Sequence, residues 1–143
     1  MRAAALIAGI LLLAVPPALA DGAKKPNPEV GTSVEMPYLI APLTSGENLL
    51  AYAYISCKII GTSPSAAIDI RDKVPFIQDT FVRDVNASPV GKPDDPQSVD
   101  AASVTARLLA DARKVMGPGK VADLTIFQIQ VSPVQPGFAP PPS

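Results

Sequence analysis

The 143-residue chain carries twelve basic and thirteen acidic side chains, no histidine, no tryptophan and a single cysteine. Its like charges form no run longer than the pairs Lys24–Lys25, Asp94–Asp95 and Arg113–Lys114, which argues against the concentrated basic face that nucleic acid requires and gives no polybasic anchor for anionic lipid. Without histidine there is no general base for a Ser-His-Asp or Cys-His arrangement and no His/Cys zinc site, and a lone cysteine excludes an internal disulfide framework.

Met1 and Arg2 form a short positive start, and residues 3–15 are an unbroken run of Ala, Leu, Ile, Val and one Gly. Pro16 and Pro17 then break any helix, and Ala18, Leu19 and Ala20 give a small-x-small cleavage site before Asp21. This is the layout of a signal peptide; its apolar run is well short of the roughly 20 residues that span a bilayer. Cleavage is expected after Ala20, with the mature protein in the periplasm of a bacterium-like cell. The residue directly after the site is Asp21 rather than cysteine, which excludes a lipoprotein. The 123 residues that remain suffice for one domain with a real core.

Residues 21–34, with Lys24, Lys25, Pro26, Pro28 and Gly31, read as a mobile leader. Residues 132–143 hold five prolines and read as an extended or disordered tail, so one folded domain is expected over 35–131. Within it, residues 36–43 read as a broken strand, its prolines Pro37 and Pro42 confined to a sheet edge or to the strand's own ends. Ser45, Gly46, Glu47 and Asn48 make a turn, and residues 49–60 alternate. One side of that strand reads Ala51, Ala53, Ile55, Cys57, Ile59, the period of a strand with one buried face. Cys57 on that side is expected to be a buried core thiol.

Ser63 before Pro64 matches a helix cap with proline at the first helical position. Ala67, Ile70, Val74, Ile77, Phe81 and Val85 then step along one helical face, with Asp69–Lys73 and Asp79–Arg83 as i,i+4 ion pairs elsewhere on it. Pro75 is expected to kink this helix or to mark its true start, with Asp72 as the cap. A proline-punctuated loop follows, and Asp95 or Ser98 is expected to cap a second helix. There Ala101, Val104, Leu108, Ala112 and Val115 share a face up to Gly117, Pro118 and Gly119. Residues 120–131 alternate apolar residues on both parities, which predicts a central strand covered on both faces. The resulting order, β–β–α–α–β, predicts an α+β domain: a small, three- to four-stranded, mainly antiparallel sheet with two helices packed on one face.

Chemistry-bearing residues are few. A carboxylate pair at Asp94 and Asp95 could in principle serve a hydrolase, and Asp94, Asp95 and Asp100 could meet calcium. No EF-hand or glycine-repeat spacing supports a calcium site, however, and no glycine loop is built to cradle phosphate. The expectation is therefore a non-enzymatic protein without cofactor or small-molecule substrate.

The elements resemble the periplasmic domain of FliL, the flagellar basal-body protein, in its short alphaproteobacterial relatives. Pro37-Tyr38-Leu39-Ile40-Ala41-Pro42-Leu43, Gly46 and Tyr52-Ala53-Tyr54 are similar to that family's opening hairpin. The run Val74-Pro75-Phe76-Ile77-Gln78-Asp79-Thr80-Phe81-Val82-Arg83 looks like its first helix, which makes Pro75 a feature of the helix start. Residues 108–115 and 121–129 resemble its second helix and closing strand. The resemblance implies a stomatin/SPFH-like fold, self-association, and contact with a membrane complex such as the flagellar stator. On this basis Pro75, Gln78, Asp79 and Arg83 form the candidate interaction surface. The chain departs from the family in its first segment, which looks cleavable where FliL keeps a transmembrane helix. The alternative is an unrelated periplasmic module that holds a small apolar ligand or a peptide between sheet and helices.

Overall fold

The computed structural model describes residues 31–135. The expected signal peptide, residues 21–30 of the leader and residues 136–143 of the tail lie outside the described residues. Six elements follow in order: β1 (Ser33–Glu35), β2 (Leu39–Ser45), β3 (Asn48–Gly61), α1 (Pro64–Ala87), α2 (Ala101–Met116) and β4 (Val121–Pro133). The strands form one antiparallel sheet and the helices cover one of its faces, an α+β architecture as the sequence predicts.

β3 is the central strand. β1 and β2 run end to end along one of its edges, β1 opposite residues 58–60 and β2 opposite residues 48–55. The break between them falls at Pro37, and the Met36 N–H still donates to the Cys57 carbonyl at 3.0 Å. Pro42 is tolerated inside β2 because its ring nitrogen faces away from β3, where no ladder bond is lost. β2 and β3 are joined by a two-residue turn with Gly46 at φ 60°, a left-handed position that glycine takes without a Cβ clash.

Alternation along β3 puts Ala51, Ala53, Ile55, Cys57 and Ile59 into the core, together with Leu39, Ala41 and Leu43 of β2. From the helices come Ala67, Ile70, Ile77, Phe81 and Val85 of α1 and Val104, Leu108 and Ala112 of α2, the faces that the periodicity predicts. Gly61 ends β3 where α1 begins: a Cβ there would lie 3.0 Å from the Ala67 nitrogen, so the strand end and the first helical turn are in contact.

Several expectations are corrected. β4 is not central; it pairs with β3 alone and forms the other edge of the sheet. The two-sided apolar pattern behind that expectation comes from a bulge: Gln128 lies opposite Ser56, but Ile126 lies opposite Cys57, leaving Phe127 as the extra residue. Parity flips there, so Leu124 and Ile126 share the helix-side face with Ile129 and Val131. β1 lies partly within the expected leader, too short to show a period. α1 runs unbroken past Pro75, with Ser63 as its cap through a 3.0 Å bond from the Ala66 N–H, so Pro75 marks no helix start and Asp72 no cap. α2 is capped by Asp100, which accepts from the Ser103 N–H at 3.2 Å; Ser98 instead donates its hydroxyl to Asp95 at 2.6 Å. Asp69 pairs with Lys120 of the α2–β4 turn at 2.6 Å, while the Lys73 ammonium stands 5.1 Å from the Phe76 ring centroid. A long-range partner for Asp69 and a ring one turn away for Lys73 displaced the expected pair.

The second helix is shorter than the strand it packs against. With 16 residues, α2 is about 24 Å long at 1.5 Å per residue, whereas the 13 residues of β4 extend about 43 Å. Leu124 is buried and Ile126 partly so beneath the helices, but Ile129 and Val131 further along the same face are exposed. No helix among the described residues is long and apolar enough to cross a membrane.

Candidate interaction surface

Helical geometry brings Pro75, Gln78, Asp79 and Arg83 to one flank of α1, since residues three and four apart are neighbours on a helix. Pro75, Asp79 and Arg83 are exposed and Gln78 is half-buried. Asp79 and Arg83 pair with each other at 3.0 Å. The Gln78 Oε1 is buried and makes no hydrogen bond among the described residues. Phe76 and Val82 stand exposed beside them, so this flank is mixed apolar and charged.

Two of the three acidic candidates, Asp95 and Asp100, do local structural work. Asp100 caps α2, Asp95 accepts from Ser98, and the Asp95 N–H donates to the Lys92 carbonyl at 3.3 Å within the same loop. A groove of about 390 Å³ lies between this loop and the end of β2, lined by Pro42, Pro89, Pro93 and Pro96 among others. The space between sheet and helices, where the alternative reading puts a ligand, is packed with fully buried side chains such as Phe81, Leu39, Ile55 and Leu108.

A larger surface emerges on the sheet itself, one that sequence reasoning missed. Its outer face has no covering layer among the described residues. Tyr38 and Tyr54 meet there with ring centroids 6.1 Å apart and planes tilted by 51°. With Ser56, Gln128 and Gln130 they line a groove of about 270 Å³. Tyr38 is 61% exposed, and Ile40 and Tyr52 stand exposed on the same face. Around the edge, Phe127, Ile129 and Val131 of β4 are 48%, 36% and 37% exposed. One signal was available in the sequence: no charged residue follows Asp123, so the end of the last strand lacks the lysines that usually guard an edge.

Two titratable features belong to the scaffold. Cys57 is fully buried, and burial pushes its thiol up to about 12, so it is an inert core side chain. Between the helices, Arg107 of α2 donates to Asp84 of α1 through Nη2 at 2.5 Å and Nε at 3.0 Å. It also donates to the Pro89 carbonyl at 2.7 Å, just past the end of α1. The last turn of α1 has no basic residue of its own, and α2 supplies the positive charge that its C-terminus favours. Asp111, one turn further along α2, has its carboxyl raised above the usual range, first by burial and then by the charge and hydrogen bonding of Asp84.

No known protein-family model matches the chain, and no curated protein matches it either.

Proposed function

We propose that this protein is a non-enzymatic interaction protein of the FliL type, exported to the periplasm, where it assembles in several copies and supports the flagellar stator or basal body. One observation carries the interaction role: among the described residues nothing covers the sheet on its outer face or along one edge, and both carry exposed aromatic and aliphatic side chains. Contiguous apolar surface of this kind is characteristic of sites where a protein meets another. The α1 flank at Pro75, Gln78, Asp79 and Arg83 offers a second contact, suited to the membrane complex. The flagellar role draws on the resemblance of the hairpin, the first helix and the closing strand.

A clean deletion strain, complemented by the full gene, tests the reading through swimming speed and flagellar count. Cells that keep their flagella but swim slowly or not at all, and recover with the gene, are the expected outcome. Normal swimming by the deletion strain would sink the flagellar role.

A further inference from the structure

We infer that the free edge of β4 pairs with the β4 of a second copy, antiparallel about a two-fold axis at Ile129, to join two sheets into one. The inference rests on the self-association in the reading above and names the surface that performs it.

The direction of the backbone groups comes first. The Val134 N–H donates to the Leu50 carbonyl at 3.0 Å. In an antiparallel ladder, residues turn alternately toward and away from the neighbouring strand. Ser132, Gln130 and Gln128 therefore bond to Tyr52, Tyr54 and Ser56, and the N–H and C=O groups of Val131 and Ile129 point outward. Among the described residues no strand pairs with that edge. Pro133 also falls on an outward position, where it ends the pairing without harming the β3 ladder.

The side chains are self-complementary in the register this edge allows. With Ile129 opposite Ile129 of the second copy, the two exchange both backbone hydrogen bonds, because both groups of each point outward. Phe127 then meets Val131 on the helix-side face, an aromatic–β-branched pair of the kind that stabilises sheets. On the outer face Gln128 meets Gln130, amide against amide. No like charges confront each other, since no charged residue follows Asp123; a charged edge would repel its own copy. The helix layer leaves room, since α2 falls short of Ile129. An occupant of this edge must be an extended, uncharged strand with apolar residues on one face and hydrogen-bonding residues on the other, and the chain's own β4 meets each condition. Specific interfaces bury roughly 1,200 Å² or more, and a short strand pairing supplies only part of that, so the dimer is expected to depend on concentration.

The test is sedimentation equilibrium on the full gene product as the cell processes it, with circular dichroism to verify folding. The side chain at 129 is exposed, so Ile129→Lys and Ile129→Glu should leave the fold intact. Each puts like charges face to face at the axis and should weaken the dimer by at least about tenfold. Mixing the two variants should restore it, because Lys then faces Glu. Val131→Pro, which removes only an outward N–H, should weaken it as well. Variants that associate as tightly as the native chain overturn the inference and leave self-association to another surface. Lys and Glu variants that stay monomeric when mixed overturn the axis at Ile129. A native chain that is monomeric at every concentration sinks the self-association reading itself, leaving the edge to the chain's own ends or to a different protein.

Discussion

Arg107 is the side chain on which the two helices depend most. It neutralises Asp84, bonds the loop beyond α1 and stands near Asp111. Replacing it with alanine leaves two half-buried carboxyl groups facing each other and uncaps α1. Arg107→Ala should cost about 2–3 kcal/mol in urea denaturation. Asp111 acts in the opposite sense. Its carboxyl titrates higher in the folded chain than in the unfolded one, so the stability tied to its protonation is fully present below about pH 4. That stability is lost as pH rises through the raised folded value. Asp111→Asn removes the repulsion, so thermal melts at neutral pH should show a gain of a few tenths of a kcal/mol, limited by solvent screening. The gain should vanish well below about pH 4, where Asp111 is protonated in both states.

Among the elements, α1 is the least regular in sequence and the most continuous in space. Pro75 lacks the N–H that would bond the Arg71 carbonyl, yet the helix continues for twelve residues beyond it. What carries it through is burial on both sides of the defect: Ala67 and Ile70 before it, Ile77, Phe81 and Val85 after it. Pro75→Ala supplies the missing donor on an exposed flank and should raise stability by up to about 3 kcal/mol, read from the urea midpoint. A loss would mean that the packing of α1 requires the proline. The same element explains what the sequence made legible. Periodicities of two and 3.6 identify β3 and both helical faces, because burial there repeats without interruption. Proline and cap residues speak only for local backbone; burial carried α1 past Asp72 and Pro75, and a bond to Asp95 took the Ser98 hydroxyl. β4 was misread for a different reason: one extra residue at Phe127 reverses parity, and a bulge has no signature in apolar spacing alone. The interaction flank was named from a resemblance, whereas the open sheet edge follows from strand order and relative lengths, neither of which is encoded in a single segment.

At the scale of the molecule, the sheet is organised around β3, through which every strand ladder passes. One side of β3 is closed by neighbours just before it in the chain, through a two-residue turn and a short extended link. Its other side waits for β4, which lies beyond both helices. The two sides therefore differ in the chain-closure entropy needed to form them. The hairpin can form as soon as its residues are available, while the β3–β4 ladder requires both helices to be in place or to fold with it. For a chain that emerges from a ribosome or a translocation channel with its N-terminus first, this order is physical. Until the closing strand arrives, one whole backbone edge of the central strand stands open to any other extended segment nearby, which is the hazard that holding chaperones relieve. Placing β4 beside the central strand thus leaves the sheet incomplete until that strand has emerged and both helices have been passed.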